Sequence, residues 1–209
     1  MESIITAIEE YHKSKYKIFI NDEFAFVLYK GELRRYGIKK GIPMTEELYH
    51  ELVDQVLTKR AKLRAMHLLE KNDRTEADVR RKLRNNLYPQ AAIDAAVTYV
   101  MNYHYIDDER YAQNYIHYKS STSSKNEIKQ TLLRRGIRKD IVEEALSISE
   151  IDETNLIMKL IQKRCKEPQM ISYEEKQKLF GYLYRKGFHF DQIEYAWERC
   201  REHAFTNQS

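Results

Sequence analysis

The sequence predicts a mainly α fold, an elongated, right- or left-curved array of three tandem three-helix repeats with a small N-terminal β-hairpin element. Three observations predict it. Only six glycines and three prolines interrupt 209 residues, too few for the many turns of an all-β domain. Residues 75 to 97 superpose without a gap on 124 to 146 at a shift of 49, and a weaker third copy spans 172 to 197. Each copy opens on a helix-capping side chain, Thr75, Ser124 or Ser172, with an acid three residues on (Asp78, Glu127, Glu175). The last two have the form of a capping box.

The N-terminal segment, 1–44, differs in kind. "YKIFI" (16–20) and "EFAFVLYK" (23–30) are rich in aromatic and β-branched residues, and Asn21-Asp22 between them are turn formers, so they read as a hairpin. An earlier strand is expected over Ile4 to Ile8. A helix capped by Thr45, with Glu46 and Glu47 at the positive end of its dipole, then continues with one or more breaks to about Asn72.

The repeats follow as 45–106 (with the linking helix), 107–152 and 153–209. Across the first two copies the shift pairs Val79 with Ile128, Leu83 with Leu132, Tyr88 with Ile137, Ile93 with Val142, Ala96 with Ala145 and Val97 with Leu146. At a further shift of 51 the third copy supplies Leu179, Leu183, Phe188, Ile193, Ala196 and Trp197. Its start lies only 48 residues on from Ser124, so its capped helix is expected to be about three residues longer. "RAMHLLEKN", "ERYAQNYIHYK" and "NLIMKLIQKRC" supply the helix before each capped pair. Such units bury their apolar faces partly against neighbours, as tandem repeats do.

The stretch "YHYIDDERYAQNY" (103–115) places Asp107, Asp108 and Glu109 in succession beside His104. Successive residues at a helix start point about 100 degrees apart, so these acids do not converge on a metal. Read as a helix start, every one of them has a structural role. Asp107 caps, Asp108 and Glu109 fill the first turn, and Ile106 and Tyr111 have the spacing of a hydrophobic staple. No metal and no cofactor are expected. A nuclease built on Asp107, Asp108 and Glu109 is the remote enzymatic alternative. No Ser/His/Asp order and no phosphate loop stands in the sequence, and "RRYGIKKG" lacks the loop-to-helix context a phosphate site needs. Cys165 and Cys200 lack metal or redox spacing and read as small buried hydrophobes.

The composition is 42% hydrophobic and 33% charged, with a net charge of +4 and a mean hydropathy of −0.73, which suits a surface-rich shape. The charge is uneven. Lys59 to Lys139 carry 18 Lys and Arg against 9 Asp and Glu, a net of +9, while the rest of the chain has a net of −5. No apolar run reaches a membrane span, and Glu2, Glu9 and Glu10 stand where a leader would be basic then apolar. A cytoplasmic protein is expected. In the first repeat Arg80, Arg81, Lys82 and Arg84 share a helix whose Val79 and Leu83 face inward, and Arg74 precedes it. The second repeat supplies Lys125, Lys129, Arg134, Arg135, Arg138 and Lys139, and the third Arg185 and Lys186. A run of Lys and Arg is ordinarily a solvated helix face. Recurrence in successive repeats favours a continuous strip that attracts nucleic acid or an acidic protein groove. The 16 tyrosines, such as Tyr99, Tyr115 and Tyr184, fall mostly at core intervals or turns.

"YIDDERYA", the recurring "LLRRGI" and "LYRKGF", and the N-terminal "NDEFAFVLYKGELRRYGIKKG" together resemble the RecX family, bacterial regulators of the RecA recombinase, over essentially the whole chain. The resemblance implies a non-enzymatic protein that binds the groove of the RecA–DNA filament. It also implies modulation, usually inhibition, of RecA ATPase, strand exchange and coprotease activities in recombination, DNA repair and the SOS response. The family pattern carries over onto Tyr105, Ile106, Asp107, Asp108, Tyr111 and Ala112 at the repeat junction, and onto the basic turns at 134–137 and 185–188. The expected partners are a RecA filament and, weakly, single- or double-stranded DNA, with no membrane, and the protein is expected to be a monomer. A helical-repeat DNA-binding protein acting independently of RecA is the alternative. Three positions depart from the pattern: His104 and Leu87 stand where relatives carry glycine, and "SSTSSK" is Ser-rich where basic residues are common.

Overall fold

The computed structural model describes residues 3–165, 167–168 and 170–206, the last four by their backbone. The outermost ends of the first and last expected segments therefore lie outside the described residues. The chain divides into two compact units, Met1–Asp107 and Asp108–Ser209.

The first unit opens with a three-stranded antiparallel sheet, β1 (Ile5–His12), β2 (Lys15–Ile20) and β3 (Glu23–Tyr29), in sequence order. Both connections are two-residue turns at positive φ, Lys13-Ser14 (27° and 61°) and Asn21-Asp22 (51° and 68°). Such turns match the right-handed strand twist, and Asn and Asp tolerate that backbone better than most residues. The expected hairpin is β2–β3. The expected first strand starts one residue later and runs four residues further, to His12, because Glu9 to His12 pair along β2 (Glu9 with Lys17, Glu10 with Tyr16) without burying themselves. Ile5, Ile18, Phe26 and Leu28 form the buried face of the sheet.

A short helix α1 (Lys30–Arg35) follows, in which Glu32 Oε2 accepts from the Tyr29 amide at 2.7 Å. Thr45 caps α2 (Glu46–Glu51), its hydroxyl accepting from the Leu48 amide at 3.2 Å. The expected break is a π-helical segment, Leu52–Leu57, that runs into α3 (Thr58–Leu69). Leu52, Val53 and Leu57 are all buried, and the Thr58 amide donates to the Val53 carbonyl five residues back, as a π turn does. Helices α4 (Glu76–Asn85) and α5 (Gln90–Asn102) complete the first repeat, and its core is continuous with that of the sheet.

The second unit holds the other two repeats: α6 (Asp108–Lys119), α7 (Lys125–Arg134) and α8 (Lys139–Ser147), then α9 (Glu153–Arg164), α10 (Tyr173–Arg185) and α11 (Phe190–Thr206). The repeat alignment holds fully at four of its six positions; at the other two Tyr88 and Leu146 are half-buried where Ile137, Phe188, Val97 and Trp197 are buried. Val79, Ile128 and Leu179 are buried, as are Leu83, Leu132 and Leu183, Ile93, Val142 and Ile193, and Ala96, Ala145 and Ala196. Trp197 is buried in the last core, against Phe180 at 5.8 Å. Helix α10 has 13 residues where α4 and α7 have 10, so the extra turn expected of the third copy is present. Cys165 and Cys200 are free and buried in the same core, and burial pushes both thiols up.

The capping boxes differ from expectation. Ser172 and Glu175 form the reciprocal pair, which holds the Glu175 carboxyl below its ordinary range through the Ser172 amide and hydroxyl. Ser124 instead accepts from the Glu127 amide at 3.0 Å and donates its own proton to the Lys186 carbonyl at 2.7 Å. The second and third repeats are thus joined by polar contacts. Glu153 adds to them, its Oε1 accepting from the Lys125 amide at 2.8 Å and its Oε2 from Gln192 Nε2 at 3.0 Å.

The turn between the capped pair of helices has positive φ in all three repeats: Leu87 (62°), Gly136 (83°) and Gly187 (89°). His104 has φ 55°. Both non-glycine departures from the family pattern therefore keep the backbone that glycine would adopt.

Candidate functional site, a recurring basic face

The basic residues divide into those held by acids and those left open. Arg74 is half-buried, its Nη1 on Asp78 Oδ2 at 2.7 Å and its Nε on the Leu68 carbonyl at 2.9 Å. Arg80 bonds Glu76 Oε1 at 2.6 Å within α4 and Asp94 Oδ1 at 2.5 Å on α5. Arg81 pairs with Asp78 but keeps about two-thirds of its side chain exposed. Lys82 and Arg84, on the same helix, complete the outward set, with Arg84 exposed and Lys82 half-exposed.

The second repeat copies the arrangement. Lys129 Nζ lies 2.7 Å from Glu143 Oε1, and both stand 49 residues on from Arg80 and Asp94. Each ion pair ties the capped helix to the next one and holds its carboxyl below its ordinary range: Asp94 chiefly through the bond from Arg80, Glu143 chiefly through the bond from Lys129. In the third repeat the cation is replaced by Phe180, which is buried. Lys139 and Arg138 approach Glu143 and Asp140 at 3.9 and 3.3 Å from exposed positions. The Arg134 guanidinium bonds Thr131 Oγ1 at 3.1 Å. That of Arg135 stacks over the Tyr115 ring at 4.6 Å and also meets the Tyr111 hydroxyl. Lys125 is half-exposed, and in the third repeat Arg185 is exposed beside the half-exposed Lys186.

The junction residues serve the cores of their own units. Ile106 is buried in the first unit, while Ala112 is buried and Tyr111 half-buried in the second. Asp107 stands immediately before α6, and Asp108 and Glu109 occupy its first turn. Tyr105 is 52% exposed and stacks on Tyr103, itself 59% exposed, with ring centroids 6.1 Å apart. Tyr99 and Tyr115 pack partly against cores, as expected. Tyr184 does not: it is 67% exposed, because it lies on the outward side of α10 between buried Leu183 and exposed Arg185.

Sequence reasoning took the cations one at a time and missed their partners. The 14-residue separation of Arg80 from Asp94 spans a turn, and only the recurrence of the same separation at Lys129 and Glu143 could have signalled it. Among the described residues, no group of three or more His, Cys, Asp or Glu side chains is placed to hold a metal ion, and no helix is long and apolar enough to cross a membrane.

Fold and basic face together define a tandem three-helix-repeat protein with a charged outer surface. Family models match each repeat in order: RecX first three-helix domain over 61–99, second over 107–146 and third over 151–197. The chain belongs to the RecX family, a family of regulatory proteins. Regulatory protein RecX of Caldanaerobacter subterraneus subsp. tengcongensis is 34% identical over 92% of this chain and 98% of its own. That of Clostridium beijerinckii is 29% identical over 87% of each. A crystal structure of regulatory protein RecX shares the fold with a TM-score of 0.62 at 24% identity, covering 92% of this chain and 97% of its own. RecX from Lactobacillus salivarius gives 0.63 at 25% identity over 69% of this chain and 96% of its own.

Proposed function

We propose that this chain regulates a RecA recombinase by binding in the groove of the RecA–DNA filament, inhibiting its ATPase, strand exchange and coprotease activities. Its membership of the RecX family through all three repeat domains carries this reading. The recurrence of cations at equivalent places in successive repeats supports it physically, since a filament offers phosphates and acidic side chains at regular intervals. The contacts are assigned to the more open cations: Arg81, Lys82 and Arg84 in the first repeat, Lys125, Arg134, Arg138 and Lys139 in the second, Arg185 and Lys186 in the third. Arg74, Arg80, Arg135 and Lys129 orient the surface through their acid and tyrosine partners. The protein acts as a cytoplasmic monomer, binding free DNA only weakly.

The reading is tested by co-sedimentation with RecA filaments on single-stranded DNA. The triple substitution Arg81→Glu, Lys82→Glu and Arg84→Glu is expected to reduce binding and flatten its salt dependence. Unchanged binding would remove these residues from the interface.

A further inference from the structure

A notch of about 320 Å3 lies in the first unit, between the sheet and the α4–α5 turn. Its size is at the lower end for small-ligand sites. Leu57 and Val27 are its buried apolar members. Lys15, Arg60 and His12 supply positive charge or protonatable nitrogen, and no carboxylate lines it. Glu32 pairs with Arg60 without being part of the lining, and Arg60 Nη1 also bonds the Val27 carbonyl at 3.3 Å, so the guanidinium is fixed in place.

The aromatic members complete the picture. The Arg60 guanidinium lies 4.4 Å from the Tyr29 ring centroid, and Lys15 Nζ lies 5.4 Å from the same centroid. Tyr88 closes the side formed by the α4–α5 turn. Burial pushes its phenol up, against the opposing pull of the nearby Arg60 and Arg64 cations. Arg64 stands one helical turn beyond Arg60, and its Nε is shielded from solvent with no acceptor among the described residues. Asn85 and Asn86 line the same side, the Asn86 side-chain amide donating to the Lys82 carbonyl at 2.7 Å. A tyrosine–guanidinium stack whose Arg60 is held by Glu32, a lysine within reach of the same ring and a lining free of carboxylates are features that recognise a base with its phosphate, Lys15 being the lining cation with no acid partner among the described residues.

We propose that this notch binds one nucleotide unit, its base stacked on the Tyr29–Arg60 pair and its phosphate held by Lys15. The site is distinct from the basic faces of the repeats and does not depend on RecA. The unit is supplied either by a free nucleotide or by a single-stranded nucleic acid.

The test uses the full chain without RecA, followed by fluorescence anisotropy of two probes, labelled AMP and a labelled tetrathymidylate. Saturable binding of either is expected. Binding of AMP identifies the free nucleotide as a source, and binding of the tetranucleotide alone identifies the strand. Lys15→Gln and Tyr29→Leu are each expected to weaken binding about five- to tenfold, with Lys178→Gln on α10 leaving it unchanged. Should Tyr29→Leu lose its native melting transition, Lys15→Gln carries the test alone. Three results would overturn the assignment: no saturation of either probe, affinity indifferent to Lys15→Gln, or displacement by hexaglutamate as effective as by unlabelled thymidylate. The last would mark an acidic-peptide site instead.

Discussion

The hydroxyl of Ser124 donates to the carbonyl of Lys186, 2.7 Å away and 62 residues further along the chain, while accepting from the amide of Glu127. Ser124 is fully buried, so one side chain both caps α7 and joins the second repeat to the third. Ser124→Ala removes the cap and leaves the part-buried Lys186 carbonyl without its donor. A loss of about 2 kcal/mol is expected, read by urea unfolding of the variant beside the parent.

Gly187 faces the same contact. Its φ is +89°, and a Cβ there would stand 2.7 Å from Ser124 Oγ and 3.3 Å from Asn126 Cβ. Gly187→Ala combines backbone strain with a clash and should cost about 2–3 kcal/mol. Gly31→Ala, inside α1 with open space around it, should leave stability unchanged or slightly raised. Equal losses in the two variants would refute the close approach.

Leu87 holds the position of Gly136 and Gly187 in its own repeat, at φ 62°. Relief of that strain in Leu87→Gly outweighs the extra chain entropy glycine brings to the unfolded state. A gain of about 0.5–1 kcal/mol is expected in the same unfolding measurement.

The Asp94 carboxyl is lowered in the folded protein, chiefly by the bond from Arg80. A carboxyl whose folded pKa lies below its unfolded value contributes stability above the unfolded pKa and loses it as the pH falls through the folded one. Asp94→Asn should therefore weaken the protein at neutral pH and reduce the fall in stability on acidification. Melting temperatures between pH 7 and strong acid measure both, and the exposure of Asp94 keeps the effect small.

Asp107→Ala tests whether the acidic stretch starts a helix or holds a metal. Loss of a cap costs about 1 kcal/mol, and the melting transition of the variant should fall equally with magnesium or with a chelator. A magnesium-dependent DNA cleavage that vanished in the variant, with its stability intact, would restore the enzymatic reading.

The repeats were legible because their signals are local: buried residues four apart on α4 (Val79, Leu83) and α7 (Ile128, Leu132), each behind a Ser or Thr cap, recur within one window. The length of β1 was not, since its outer half buries nothing and only pairing with β2 makes it a strand. A break in this helix was legible but its π form was not, because Leu52, Val53 and Leu57 fit an ordinary helix almost as well. The basic face was legible as charge but not as structure. Which cations are held depends on Asp78, Asp94 and Glu143, and the Asp94 and Glu143 pairs cross from one helix to the next. The notch around Tyr29 and Arg60 brings together residues from β1, β2, β3, α3 and the α4–α5 turn, a convergence with no sequence signature.

The central claim, regulation of RecA through its filament, is tested most directly by RecA ATPase and strand exchange on single-stranded DNA with increasing amounts of this protein. Inhibition well below one molecule per RecA is predicted, because a molecule in the filament groove acts on the assembly rather than on one subunit. Inhibition only at amounts that cover the DNA, or none at all, would contradict it.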